Sequence, residues 1–472
     1  MNNSSKLHKM SLLSLILVSS AFVTSVRNLT TIAETQMQML FFGLIAAVCY
    51  FIPVALVSAE LATGWPKAGG VYVWAKQAFG ERWGFFTCWL QWTYGVLGVI
   101  STLYFASDTL IYILNPAWAN NHYALICIAL ATVWIFTITN LRGQQVSSFI
   151  SGLCFSLGVF VPAVFIILLG IVYLLMGNTP QMNMSFTWNN LIPDFRELTT
   201  LVLLVGFVRA FGGIEAAASH ANEVENPRRN YPISIFIVVI IGLSINIFGS
   251  MSVAVVIPQD QISLAAGLIE AFSKFLDFFH LKLLTKPIAL LITIGAIGSV
   301  NTWIMGPIKG LLATARNGDL PPVFQKVTKT GAPSALLIVQ GIMISIVTTV
   351  LLMLPNLNVA FWLSVALSMT VYSIMYIIML LSGITLRYKE PDTPRKYRVP
   401  FGNLGMIGIG CLGILTLIFV FIIDFFPPLQ LPPEMHGTYT IVLLISAFVL
   451  FALPLLIYHF KNPAWRKNHE EV

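Results

Sequence analysis

Residues 198–227 read LTTLVLLVGFVRAFGGIEAAASHANEVENP, an apolar run that turns polar at its middle. After Val208 come Arg209, the adjacent Gly212 and Gly213, and Glu215. Adjacent glycines weaken a helix and let another segment or a ligand approach the backbone closely. Charged residues inside a membrane span are costly and usually face a cavity or a partner. The run therefore predicts a membrane helix that is interrupted at residues 211–213, with free backbone groups at the break.

A second interrupted run lies near the start of the chain. Residues 10–37 begin as an apolar segment, which gives way at residues 24–31, TSVRNLTT. These two runs are the exceptions among spans that mostly carry no charge. Two interrupted helices at corresponding positions of two halves point to a transporter with its site at the interface of an inverted repeat. The alternative is that the first span ends at Val26 with Arg27 reaching the lipid headgroups, and that Gly212 and Gly213 only pack against a neighbouring helix.

Apolar runs of similar length recur along the whole chain. Of its 472 residues, 57% are hydrophobic and 10% are charged, whereas soluble domains carry about 25% charged residues. Each run reaches across a hydrocarbon core of about 30 Å at about 1.5 Å per helical residue. We predict an all-α polytopic membrane protein, a single transmembrane domain over residues 1–472 with about twelve spans. The predicted spans 1 to 12 are 10–37, 39–62, 81–113, 122–141, 147–176, 197–222, 231–257, 283–315, 334–354, 359–387, 403–427 and 437–460.

The distribution of basic residues predicts the orientation in the membrane. Lys and Arg are concentrated on the side of the two termini, and the loops of the opposite side carry Arg196, Lys274, Lys282 and Lys286. Because cytoplasmic loops carry the excess of Lys and Arg, both termini are placed in the cytoplasm of a bacterial cell, with the protein in the inner membrane. We expect residues 387–398 to be cytoplasmic and residues 258–286, with a short helix, to lie outside. Little chain follows the last span, so we expect no regulatory tail after residue 467.

Other functional classes lack their expected sequence features. The net charge of +7 is not gathered on one face, as a nucleic-acid partner would require. The seven histidines show no metal-ligand spacing such as H-E-x-x-H, so we predict no enzyme, no metal and no cofactor. A channel would show a filter loop or repeated pore-lining charges. The class that fits these observations is a carrier.

Short motifs around the spans carry a family resemblance. They read FIPVAL at 51–56, AELAT at 59–63, GGVY at 69–72, GIEA at 213–216, NE at 222–223, NP at 226–227, WIMGP at 303–307, DLP at 319–321 and RVPFG at 398–402. With them the chain resembles, over nearly its whole length, the amino acid-polyamine-organocation superfamily and within it the glutamate:GABA antiporter-like branch. The resemblance implies a five-plus-five inverted repeat with broken helices 1 and 6. Residues 1–176 and 197–387 would be the repeats, and residues 403–460 the two trailing helices.

The resemblance also implies where the substrate binds. In that fold the substrate carboxylate meets the second half of span 1, where free N–H groups and the helix dipole favour an anion. The amino group meets carbonyls at the ends of the first halves of spans 1 and 6. Glu215 matches a glutamate that is coupled to gating in relatives; the alternative is a carboxylate that only accepts hydrogen bonds from neighbouring backbone amides. Trp303 matches an aromatic residue that lies beside the substrate; the alternative is a tryptophan that only packs. The substrate-binding residues implied in this way are Ser25, Val26, Arg27, Asn28, Phe211, Gly212, Gly213 and Trp303.

Arg209 is the predicted determinant of substrate choice. The resemblance places it where some relatives have an aromatic gate. Its guanidinium, with that of Arg27, can hold the side-chain carboxylate of glutamate or aspartate by bidentate hydrogen bonds. The alternative is that Arg209 pairs with Glu215 or another internal carboxylate and only fixes the break. We expect it to bind substrate, because an intramembrane arginine without a role is costly.

Lys309 on span 8 bears on the energy source of transport. The wider fold binds sodium in this region in some members, and a lysine there replaces the ion electrostatically, which argues against sodium coupling. The alternative is a structural lysine paired near the inner face. We predict a secondary active amino acid transporter, an antiporter of glutamate/GABA type, whose partners are a small-molecule amino acid and the lipid bilayer. Proton-coupled symport of amino acids or polyamines through Glu215, a transporter-like nutrient sensor and assembly as a homodimer stay open.

Overall fold

The computed structural model of the chain describes residues 10–67, 69–115, 118, 121–196, 198–218, 224–263, 266–353, 357–427 and 431–466. Ten helices within these ranges are long and apolar enough to cross a membrane. They form spans 2 to 5 and 7 to 12, with the bounds Gln36–Gly64, Glu81–Leu114, His122–Asn140, Val146–Leu175, Pro227–Val256, Lys282–Arg316, Ser334–Leu352, Trp362–Lys389, Gly402–Ile423 and Pro433–His459. The predicted all-α polytopic fold is confirmed.

Spans 1 and 6 are the interrupted helices. Span 1 consists of half-helix 1a, Leu12–Val23, and half-helix 1b, Asn28–Ala33, separated by an extended Thr24. Half-helix 6a, Leu198–Ala210, ends where the chain reaches residues 211–213. Residues 219–222 of the predicted span 6 lie outside the described residues. Both breaks occur where the charged and glycine residues interrupt the apolar pattern.

The connections between spans contain further helices. Val71–Phe79 joins spans 2 and 3 and was not predicted; Gly70 (φ 49°) and Gly80 (φ 97°) flank it in a backbone region that favours glycine. Gly267–Phe278 follows span 7, as expected for the loop of residues 258–286. Span 7 begins at Pro227, earlier than the predicted residue 231, because proline is favoured in the first helical turn, where its missing N–H costs nothing.

Span 8 packs closely against spans 3 and 5. A Cβ on Gly158 of span 5 would lie 2.1 Å from the backbone nitrogen of Gly295 of span 8. A Cβ on Gly95 of span 3 would lie 3.2 Å from Cγ of Pro307. Small residues let membrane helices approach to such distances. Trp303 lies between these two contacts along span 8, so close packing fixes its position.

Both described ends of the chain lie on one side of the bundle, which we call the terminal face. Glu60 of span 2 is buried there, and the guanidinium of Arg387 donates two hydrogen bonds of 2.6 Å to its carboxylate. The backbone N–H of Val399 donates to the same carboxylate at 2.7 Å. Charge-assisted bidentate pairs of this kind are strong and directional. This pair joins span 2 to span 10 and to the segment that precedes span 11.

A second charged cluster on the terminal face contains Lys461, which follows span 12. Its ammonium group lies 3.3 Å from Asp319 and 3.4 Å from Glu81, and it donates to the hydroxyl of Tyr458 at 2.8 Å. Burial lowers the pKa of Lys461, but the hydrogen bond with Tyr458 and the charge of Asp319 together raise it by more than burial lowers it. The net shift is therefore upward. Burial raises the pKa of Asp319 more than Lys461 and Asn317 lower it. The cluster ties the segment after span 12 to spans 3 and 8.

Candidate functional site

A small cavity of about 40 Å³ lies between the two helix breaks. One water molecule needs about 10 to 15 Å³ by this measure, so the cavity has room for a few waters and not for an amino acid. Its lining comes from spans 1, 3, 6 and 8: Phe22, Val23, Ser25, Arg27, Asn28, Tyr94, Gly98, Thr102, Arg209, Gly212, Ser299 and Trp303. An amino acid could enter this cavity only if the lining side chains moved apart.

Two half-buried arginines meet at one hydroxyl group beside this cavity. Arg27 Nη1 donates hydrogen bonds of 2.8 Å to Ser101 Oγ and to Thr102 Oγ1. Arg209 Nη2 donates to the same Ser101 Oγ at 3.0 Å. Both hydroxyls in turn donate to the carbonyl oxygen of Gly98 one turn earlier on span 3, which fixes their orientation. Among the described residues, no carboxylate forms an ion pair with Arg27 or Arg209.

This arginine pair has the chemistry of an anion-binding site. Like charges at this separation repel, and a cation removed from water without a counter-ion is costly. Arg27 Nε is a buried donor with no hydrogen-bond partner. A carboxylate entering between the two guanidinium groups would supply both the missing negative charge and further acceptors, in the planar geometry that guanidinium groups favour.

Gly213 shapes the break of span 6. Its φ of +110° lies in the region that favours glycine, and a Cβ there would lie 2.9 Å from the carbonyl oxygen of Phe22 and 3.0 Å from the ring of Trp303. Its backbone N–H donates to the hydroxyl of Tyr376 at 2.8 Å. Glycine at this position therefore lets the two breaks touch and gives the freed amide a side-chain partner.

Glu215 follows this break and is fully buried. Gln91 Nε2 of span 3 donates to its carboxylate at 2.9 Å, and the hydroxyls of Tyr372 and Tyr376 of span 10 donate as well. Tyr376 thus connects the amide of Gly213 to this carboxylate. The hydrogen bonds of Glu215 go to these residues and not to Arg209, so Arg209 does not pair with Glu215. Another internal carboxylate near Arg209 is that of Asp424, which interacts with it electrostatically.

Aromatic side chains form one wall of the cavity. The ring centroid of Trp303 lies 5.1 Å from that of Phe22 and 4.9 Å from that of Tyr94, both edge to face. Tyr94 stacks on Tyr372 with 3.5 Å between centroids. Because Tyr372 also contacts Glu215, the wall connects the cavity to the buried carboxylate.

The structure brings most of the predicted site residues together. The cavity lining includes Ser25, Arg27, Asn28, Arg209, Gly212 and Trp303. Val26 is buried outside the lining, and Phe211 stacks on Phe51 at 5.0 Å between centroids, so both support the breaks from behind. Lys309 lies on span 8 beyond Pro307 and outside the lining.

Inspection of the sequence missed the partners that span 3 contributes. The available signal was the adjacent pair Ser101 and Thr102, because hydroxyls in membrane helices often bond across to another helix. Inspection of the sequence, which singled out spans 1 and 6 and Lys309 of span 8, also missed two buried carboxylates. Glu60 is buried in span 2, and Asp424 is buried at the end of span 11, where it accepts a 2.7 Å hydrogen bond from Thr370. Each of these carboxylates has a partner on another span, which is why it is tolerated.

Comparison with known proteins places the chain in a family. Residues 10–465 match the amino acid permease family. An uncharacterized transporter of Legionella pneumophila is 38% identical over 471 residues, which cover 100% of this chain and 99% of that protein. A glutamate/gamma-aminobutyrate antiporter of Lactococcus lactis is 34% identical over 470 residues, covering 98% of this chain and 92% of that protein. A probable agmatine/putrescine antiporter of the same species is 26% identical over 89% of each chain. The chain therefore belongs to the amino acid permease family.

Proposed function

We propose that the chain is an antiporter that exchanges glutamate for gamma-aminobutyrate across a bacterial inner membrane, with the arginine pair binding the carboxylate that both molecules share. The observation that carries the proposal is that Arg27 and Arg209 converge on Ser101 beside a cavity lined by both helix breaks. The relative that is 34% identical over nearly the whole chain supports this substrate pair, because it is a glutamate/gamma-aminobutyrate antiporter.

The chemistry of the two substrates fits one shared site. Glutamate and gamma-aminobutyrate both carry an amino group and a carboxylate separated by three carbons, and glutamate adds a second carboxylate beside the amino group. We assign the shared carboxylate to Arg27 and Arg209. We assign the amino group to the carbonyls that end half-helices 1a and 6a, and the second carboxylate of glutamate to the free N–H groups of the span 1 break around Ser25 and Asn28. A polyamine would place further ammonium groups near the two arginines and be repelled.

Coupling is assigned to groups behind the cavity. Glu215 holds Tyr372 and Tyr376, which contact the aromatic wall and the span 6 break, so a change in its protonation or hydrogen bonding would reach both. This arrangement favours a proton-coupled amino acid symporter as the second candidate function. The positive charge of Lys309 on span 8 argues against sodium coupling in either case.

We also infer the orientation and the internal repeat. The matching breaks in spans 1 and 6 support two inverted repeats, residues 1–176 and 197–387, followed by the trailing helices of residues 403–460. The concentration of Lys and Arg on the terminal face supports a cytoplasmic location of both termini.

Counterflow in proteoliposomes tests the proposed exchange. Vesicles loaded with gamma-aminobutyrate should take up labelled glutamate, and empty vesicles should not. Arg209→Ala should weaken glutamate recognition by about tenfold or more, since a hydrogen bond to a charged group is worth about 1.5 to 3 kcal/mol. Arg209→Lys keeps the charge without the planar fork and should recover only part of the affinity.

The controls separate recognition from structural damage. Arg27→Ala serves as the comparison, because Arg27 also belongs to the span 1 break and its loss should affect all substrates. In Arg209→Ala, neutral amino acids without a side-chain carboxylate, such as glutamine, should lose less affinity than glutamate, whereas gamma-aminobutyrate, which presents the shared carboxylate, should lose as much. An equal loss for glutamate and for neutral amino acids that lack this carboxylate would make Arg209 a structural residue. Uptake driven by a pH gradient without internal substrate would favour the symporter.

A further inference from the structure

A groove of about 550 Å³ lies on the outside of the bundle, between spans 2, 6 and 11. Its walls include Phe41, Phe42 and Cys49 of span 2, Leu201 and Leu204 of half-helix 6a, and Phe419 of span 11. The lining has one hydroxyl group, that of Thr416, which already donates to the carbonyl oxygen of Leu412 at 2.9 Å. The volume falls in the range of about 300 to 1,000 Å³ that is typical of small-molecule sites.

The position of the groove identifies its environment. The lining residues belong to the halves of spans 2, 6 and 11 that are farthest from the terminal face. They therefore lie in the hydrocarbon of the opposite leaflet, where acyl chains are the surrounding solvent. A lining of this kind offers a water molecule too few partners, and an apolar chain fits it.

A charged residue directly follows one of the lining residues, just before half-helix 6a begins. Phe195 lines the groove and packs edge to face on Phe41, with 5.8 Å between centroids. The next residue, Arg196, has an exposed side chain, while its backbone N–H donates to the carboxylate of Asp194. An arginine that directly follows a groove-lining residue at the outer end of half-helix 6a matches a phospholipid, whose phosphate carries the negative charge above its acyl chains.

We propose that this groove is a binding site for one acyl chain of a phospholipid in the leaflet opposite the terminal face, with the lipid phosphate at Arg196. Leu201 and Leu204 lie one turn apart on half-helix 6a, so both contact the same occupant. The same half-helix ends in Arg209 and the span 6 break. A bound acyl chain therefore packs against the half-helix that carries Arg209 and restrains its movement.

Photocrosslinking in liposomes tests this site. The probe is phosphatidylglycerol with a diazirine in one acyl chain, incorporated with the full-length protein and mapped by mass spectrometry. We expect adducts to concentrate on residues 41–49 and 201–204. Leu201→Trp and Leu415→Trp fill the groove from opposite walls, and each should lower these adducts about tenfold, equivalent to about 1.4 kcal/mol or the contact of about two methylene groups. Leu415 is 66% exposed, so its replacement leaves the core intact.

Two further variants complete the test. Ile346→Trp on span 9 is the matched control, because Ile346 is 60% exposed in the described structure and does not line the groove; its adducts should equal those of the unmodified chain. Arg196→Gln should lower retention of the anionic lipid. Adducts spread evenly around the spans, or an equal effect of Leu415→Trp and Ile346→Trp, would overturn the proposal. Because the experiment measures lipid binding, the proposed lipid site stands or fails independently of the proposed antiport.

Discussion

At the residue scale, Gly213 is the position where backbone conformation and close packing coincide. Gly213→Ala would place a Cβ 2.9 Å from the carbonyl oxygen of Phe22 at a φ of +110°. We expect a loss of about 1 to 3 kcal/mol in stability, with weaker substrate binding, because the break must shift. Gly206→Ala in half-helix 6a is the control, since its Cβ would meet Thr31 at an ordinary 3.6 Å. Thermal unfolding in detergent compares them; equal melting temperatures would show that the break tolerates a side chain.

Tyr376 and Tyr372 offer a second comparison between single residues. Both hydroxyls donate to Glu215, but Tyr376 also accepts from the backbone N–H of Gly213. Tyr376→Phe leaves that amide without its partner and should cost about 1 to 3 kcal/mol more than Tyr372→Phe. Both the free energy of unfolding and the affinity for glutamate should fall more in Tyr376→Phe than in Tyr372→Phe. If the two variants behave alike, the link from the span 6 break to Glu215 through Tyr376 contributes nothing to stability or to glutamate affinity.

At the element scale, the segment after span 12 is held by charge and not by an apolar face. Lys461→Met removes the ammonium group from Asp319 and Glu81. We expect backbone hydrogen exchange in residues 458–466 to become roughly tenfold faster, a change of about 1.4 kcal/mol. Lys326→Met on the same face is the control, because the Lys326 side chain is exposed and forms no ion pair within the described part of the chain. Unchanged exchange in Lys461→Met would assign the anchoring to backbone contacts such as that of Gln325 with Trp465.

The pH dependence of this anchor follows from the direction of the Lys461 shift. A lysine whose pKa is raised on folding contributes stability below its unfolded pKa and loses it as the pH rises through the folded pKa. Anchoring by Lys461 should therefore persist from neutral pH to about pH 9 and be lost only in stronger alkali. Hydrogen exchange of residues 458–466 across this range measures it. Release of this segment on mild acidification would instead point to protonation of Asp319, whose pKa burial raises, and to loss of its ion pair with Lys461.

At the scale of the whole molecule, the testable property is orientation. The distribution of Lys and Arg predicts that residues 387–398 are cytoplasmic and residues 258–286 are outside. In a cysteine-free background, Lys396→Cys and Asp260→Cys introduce single labels at exposed positions of these two segments. A thiol reagent that does not cross the membrane should label Asp260→Cys in intact cells, and Lys396→Cys only after lysis. The reverse pattern would invert the orientation.

The architecture was largely available from sequence because its causes are local. Apolar runs of membrane-crossing length are a property of consecutive residues, and a break in such a run is marked by the glycines and charges themselves, as at residues 211–213. The short helix Val71–Phe79 was missed because Gly70 was read within a motif and Gly80 was not recognised as a helix end. Buried Glu60 and Asp424 were missed because each is stabilised by a group on a different span, Arg387 and Thr370.

The proposed substrate site depends on contacts that no local pattern contains. Arg27 and Arg209 were recognised as intramembrane charges, but the hydroxyl at which they meet belongs to Ser101, 74 residues after the first and 108 before the second. Likewise Glu215 finds Gln91, Tyr372 and Tyr376 on spans 3 and 10. Local sequence fixes which segments enter the membrane and where they break, since each segment must satisfy its own backbone in the apolar bilayer. Which side chains then face each other is set by the packing of whole helices, as at Gly158 and Gly295, and that packing brings distant residues into one site.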